Sequence, residues 1–60
     1  MISKEDFENL LKIETRARDY YNELLEEISH ERVRKNIESI RDDEISHMEF
    51  AERLIELVSR

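Results

Sequence analysis

The chain of 60 residues contains no cysteine, no glycine and no proline. Without cysteine there can be no disulfide, no thiolate zinc site and no iron–sulfur cluster, and nothing marks a redox compartment. Without glycine and proline, a β-rich or loop-rich fold lacks its usual punctuation, whereas a helical hairpin needs neither. Long apolar runs are missing too. Met1-Ile2-Ser3 gives way at once to charged residues, which argues against a signal peptide or a membrane span and predicts a soluble, cytoplasmic protein. Basic residues are outnumbered, and the net charge of −6 should repel nucleic acid and attract cations. A chain this short seldom buries enough apolar surface to stand alone. With disulfides excluded, the remaining staples are a partner chain and a metal held by oxygen and nitrogen ligands.

What is present reads as two helices. Ser3 can cap the first, and Glu5 and Asp6 suit the positive end of its dipole. The segment is a near relative of the capping box, with Asp where Glu or Gln is usual. Phe7, Leu10, Glu14, Ala17, Tyr21, Leu24 and Ile28 then recur in steps of three and four. Leu11, Ile13, Tyr20 and Leu25 form a supporting row that widens the apolar face. The one break falls at Ser29-His30-Glu31, where Ser29 is placed to cap the second helix. A second stripe follows through Val33, Ile37, Ile40, Glu44, His47, Ala51, Leu54 and Val58, with Ile45, Met48, Ile55 and Leu57 beside it. The expected fold is all-α, a single domain in which helices over about 4–28 and 32–59 are joined by a turn at 29–31. So tight a turn makes them an antiparallel hairpin. Glu23, Glu26, Glu27, Arg34 and Lys35 are expected on its solvated outer face.

Three ionisable residues interrupt the two stripes: Glu14 in the first, Glu44 and His47 in the second. An unpaired charge in a buried stripe costs several kcal/mol or more. Counted from residue 30 at 1.5 Å per residue, Glu14 lies about 24 Å from the turn, Glu44 about 21 Å and His47 about 26 Å. The three therefore share one layer near the middle of the hairpin. A second copy related by a two-fold axis would cover the stripes, complete a four-helix bundle and double this layer. Four carboxylates then balance two divalent ions, with one imidazole for each. Such a donor set suits Fe(II), Mn(II) or Zn(II).

Glu14, followed by Glu44-Ile45-Ser46-His47, resembles the ferritin-like di-iron carboxylate pattern of a Glu on one helix and Glu-x-x-His on the next. Within that superfamily it is similar to the half-bundles of rubrerythrin type and encapsulated-ferritin type. The likeness runs from Glu14 to Leu54 and takes in Ala17, Tyr21, the short turn, Val33-Arg34-Lys35 and Asp43. It implies a homodimer holding two iron ions, with Glu14, Glu44 and His47 as both metal ligands and catalytic residues of a ferroxidase. Dioxygen or peroxide would be the oxidant, and Mn or Zn could substitute for iron. Encapsulated members pass iron to a surrounding shell, so the likeness also admits a shell protein as partner and a nanocompartment as location. Dimers could join into a larger ring through surface such as Ile13, Phe50 and Leu57. A full rubrerythrin carries a cysteine-ligated iron domain as well, which this chain lacks.

Each of these residues also has a plainer reading. Glu14, Glu44 and His47 could be a polar cluster fixing the register of a metal-free helical interaction module. Asp43 could orient a ligand histidine or be a surface acid. Tyr21 could bond a ligand carboxylate or simply pack, and packing is the expectation for Tyr20. Met48 and Phe50 are expected in core or interface, and His30 is expected to be a solvated turn residue.

Overall fold

The computed structural model spans residues 1–60 and contains two α-helices, α1 (Lys4–Glu27) and α2 (Glu31–Val58), and no strand. They lie side by side as an antiparallel hairpin, a rod of 45 × 15 × 13 Å. No helix is long and apolar enough to cross a membrane.

Local chemistry explains where each helix begins and ends. Ser3 is extended at the N-cap of α1. Its backbone N–H donates to Asp6 Oδ2 at 2.7 Å, and its hydroxyl donates to the same oxygen at 3.4 Å. Asp6 thus fills the acidic place of the capping box, one methylene shorter than Glu. At the other end Ile28 turns out of the helix, and the turn occupies residues 28–30, one residue earlier than the sequence suggests. Ser29 therefore does not cap α2. His30 does, with Nδ1 accepting from the Val33 N–H at 3.4 Å. Because α2 starts at Glu31, a hydroxyl at position 29 comes one residue too early to reach the free N–H groups of the first turn.

The C-terminus of α1 has no basic residue in its last turn. Arg34, expected on the solvated face, is instead half-buried and supplies that charge from the other helix. Its guanidinium donates to the carbonyls of Leu25 and Ile28, the latter at 2.8 Å. One side chain on α2 thereby satisfies two carbonyls at the end of α1 and ties the turn to both helices. A second cross-link runs from Arg41 to the Asn22 side chain at 3.2 Å.

Burial is slight. Only Leu25 and Ala51 are buried, one from the supporting row of α1 and one from the main stripe of α2. The supporting row splits: Leu11 and Leu25 pack towards α2, while Ile13 and Tyr20 stay exposed on the opposite flank of the stripe. Val33, Ile40, Phe50, Leu57 and Val58 are exposed on α2 as well. The accessible surface is 4929 Å² for 7.4 kDa. Folded monomers of that mass expose about 4,200 Å², so this hairpin leaves roughly 700 Å² more in water than its size warrants.

Arg34→Ala should destabilise the hairpin by about 1–2 kcal/mol, because two carbonyls lose a charged donor. Arg34→Lys should recover only part of that, since an ammonium lacks the planar fork. Thermal and denaturant unfolding of the three proteins, followed by far-ultraviolet circular dichroism, measures both effects.

Candidate metal centre

α1 and α2 bring Glu14, Glu44 and His47 together at mid-length. One ligand atom from each lies within 4.8 Å of the other two. The imidazole faces both acids through the same nitrogen, with His47 Nδ1 3.3 Å from Glu14 Oε2 and 3.5 Å from Glu44 Oε1. Two of these residues are set by helical spacing, since Glu44 and His47 are three apart on α2 and so share a face. Glu14 arrives from α1 because the turn fixes the relative height of the two helices.

The donors suit a small divalent cation. Atoms held 2.0–2.2 Å from one ion stand about 3.0–3.5 Å apart at octahedral or tetrahedral angles. The two nitrogen–oxygen distances are already of that size. Two carboxylates and one imidazole form a mixed oxygen and nitrogen set, which favours Fe(II), Mn(II) or Zn(II) over soft ions. The cluster opens outwards: the Glu14 and Glu44 side chains are 14% and 18% exposed, and that of His47 is 58% exposed. Thus the histidine is not buried within one hairpin as its place in the stripe suggests. It lies on the flank that α1 does not cover.

Crowding of like charges leaves its mark on Glu44. Its carboxyl is raised above the ordinary value of 4.5, first by the hydrogen bond its neutral form makes with Glu14, then by desolvation and by the negative charges of Glu14 and Asp43. His47 acts in the opposite direction. The hydrogen bond between the two acids thus outweighs their simple charge repulsion.

Asp43 and Tyr21 do not join the cluster within one chain. Asp43 is exposed and reaches Glu44 only through its charge. Tyr21 is half-buried and stacks on Tyr20, with ring centroids 5.9 Å apart and planes tilted by 50°. The surface hollow lined by Ser46, Glu49, Phe50 and Arg53 includes none of the three cluster residues. Arg34 is the residue that sequence reasoning overlooked. The available signal was the missing basic residue in the last turn of α1, facing an arginine one turn into α2.

Compared with known protein families, curated proteins and solved structures, the chain matches none.

Because the neutral form of Glu44 is the one the fold favours, the metal-free protein should be most stable below pH 4.5 and should lose stability as pH rises through the raised value. Glu44→Gln, which stays neutral, should flatten that dependence. Melting curves in chelator from pH 4 to 8 test the sign: a parent protein that gains stability across this range, with the variant unchanged, would contradict it.

Proposed function

We propose that this chain is a ferritin-like half-bundle that pairs with a second copy, binds two iron ions at the shared centre and oxidises Fe(II). The observation that carries the reading is the meeting of Glu14, Glu44 and His47, the only acids and the only histidine in either apolar stripe, within 4.8 Å of one another. The uncovered apolar flank supports the pairing. The hairpin as a whole exposes roughly 700 Å² more than its mass warrants, close to the 800 Å² or so that each partner contributes to a standard interface.

Iron is the substrate in this reading. Two Fe(II) lose one electron each, and the two electrons reduce dioxygen to hydrogen peroxide or hydrogen peroxide to water, with protons drawn from solvent. The protein holds the ions close together and offsets their charge. Two chains bring four carboxylates, which cancel two divalent ions and favour the further positive charge that builds as iron is oxidised. Glu14 and Glu44 must be deprotonated and His47 neutral to bind, so affinity should rise with pH through the range in which Glu44 titrates. Asp43 and Tyr21 would act only as supporting residues, orienting a ligand from the partner's side. Assembly into a ring, delivery to a shell protein and residence in the cytoplasm or a nanocompartment follow from the resemblance alone.

The exposed apolar flank also favours a second reading, a metal-free hairpin that serves as an interaction module. In that case the polar cluster sets register and no ion binds.

Metal analysis after anaerobic Fe(II) loading separates the two. The first reading expects about one iron per chain and a stability gain of about 2.7 kcal/mol at a hundredfold excess over Kd. Glu14→Ala should abolish tight binding, and mixing it with His47→Ala should not restore a full site, because every mixed dimer still lacks two ligands. On admission of oxygen the loaded parent should oxidise Fe(II) at least tenfold faster than buffer, and Glu44→Ala should not. No bound iron would hand the function to the interaction module, whereas iron bound without faster oxidation would leave a metal-binding protein that is not an enzyme.

A further inference from the structure

His30 is the one histidine outside the polar cluster, and it occupies the N-cap of α2 with an extended backbone at φ −69° and ψ 116°. Two successive donors of the first turn depend on it. Its carbonyl accepts from the Arg34 N–H at 2.9 Å, and its ring Nδ1 accepts from the Val33 N–H at 3.4 Å. The first is an ordinary helical bond. The second exists only while Nδ1 carries a free lone pair, that is, while the imidazole is neutral with its proton on the other nitrogen.

Caps are commonly Ser, Thr, Asn or Asp, side-chain types whose accepting oxygen does not ordinarily change between pH 5 and 8. Imidazole does change there. Protonation puts a hydrogen on Nδ1, so the acceptor vanishes, and it adds a positive charge at the positive end of the α2 dipole. Both effects act against the first turn. The cap of α1, at the far end of the rod, is built from a hydroxyl and a carboxylate and has no group of this kind.

The charged residues around the turn are Glu26 and Glu27 at the end of α1 and Glu31, Arg32 and Arg34 at the start of α2. Glu31 pairs with Lys35 at 3.6 Å, while the Arg34 guanidinium lies 3.9 Å from Glu38 and donates to the Leu25 and Ile28 carbonyls. None of the five bonds the ring, whose partner is the Val33 N–H. The acids favour an imidazolium and the arginines oppose it. At an exposed turn those charge effects are screened by salt, whereas a lost hydrogen-bond acceptor is not restored by it.

We propose that His30 is a proton-operated cap: as pH falls from 8 to 5 the ring releases the Val33 N–H and the first turn of α2 frays. The hold on the end of α1 slackens with it, because Arg34 belongs to that same turn of helix. Its sign follows from which form makes the bond. Neutral imidazole makes it, so the stabilisation is whole above about pH 6.5, the usual imidazole value, and is lost as pH falls through that region. Neither a metal nor a second chain enters, so the inference stands apart from the iron reading.

Glu44 responds to pH in the opposite sense, so a melting curve would mix two effects, and the test reads the turn itself. Exchange of the Val33 amide with water, measured by NMR magnetisation transfer and divided by the rate in an unfolded peptide of the same sequence, gives its protection. Loss of a cap corresponds to about a factor of five, and Val33 protection in the parent should fall by about that much between pH 8 and pH 5. His30→Asn, a cap that does not titrate, should keep its protection level across the range. His30→Ala should show the low value throughout. A parent as flat as the Asn variant would overturn the proposal, and so would a pH effect that persists in that variant. Repeating the parent series in roughly 0.5 M salt, where surface charges are screened beyond a few ångströms, separates the last alternative. An effect that survives is the cap's; one that disappears belongs to the neighbouring charges and overturns it.

Discussion

Two helices lying side by side can cover only one flank of each other, and most of this molecule follows from that geometric limit. Each stripe is wide enough for two neighbours, but a hairpin supplies one. The result is a rod whose buried side chains are just Leu25 and Ala51, with aliphatic and aromatic groups along one side in water. Hydrophobic stabilisation scales with area removed from water, so a large share of what this sequence could gain is not realised within a single chain. The hairpin holds its shape by local means in the meantime: an acidic cap at Ser3, an imidazole cap at His30 and the Arg34 guanidinium across the turn.

The polar layer is set in this same unfinished surface. Glu14 and Glu44 are mostly covered while His47 stands open, so the cluster forms a rim of the hairpin and not its centre. Such an arrangement stores unfavourable charge at the place where covering surface is also lacking. A cation would relieve the first problem and a second copy the second, and each would make the other easier, because acids that no longer repel can be brought together. The raised carboxyl of Glu44 is the same conflict seen in a single hairpin, where a proton takes part of the role that a metal ion would take.

Much of this was legible in the residues. Steps of three and four locate both helices to within a residue, and the two acids and one histidine among the apolar members of the stripes single out the cluster. Height counted from the turn was enough to put Glu14 opposite Glu44 and His47, because 1.5 Å per residue holds along an uninterrupted helix. The turn was less legible. Ser29 has the better capping side chain by preference, yet His30 takes the position, since the last residue of α1 to leave the helix decides where α2 can begin. Arg34 was obscured for a related reason: a charged residue beside other charged residues reads as solvated, and only the bend of the chain shows two bare carbonyls within its reach. Ile13 and Tyr20 could not be separated from Leu11 and Leu25 by periodicity alone, because the row says which residues are near the stripe and not which flank meets a neighbour.

The three-residue turn held by Arg34 acts as a gauge for everything beyond it. One residue added inside α2 before Glu44 would advance that acid by about 1.5 Å and swing it by about 100° around the helix, away from Glu14. A change of length that keeps the two acids in phase would have to enter as whole heptads, about 10.5 Å at a time, and in both helices together. Single insertions could be absorbed only as a bulge between Ile28 and His30, where they would break the guanidinium's hold on the end of α1. The length of this chain between Glu14 and His47 is therefore as much a part of the cluster as its three side chains are.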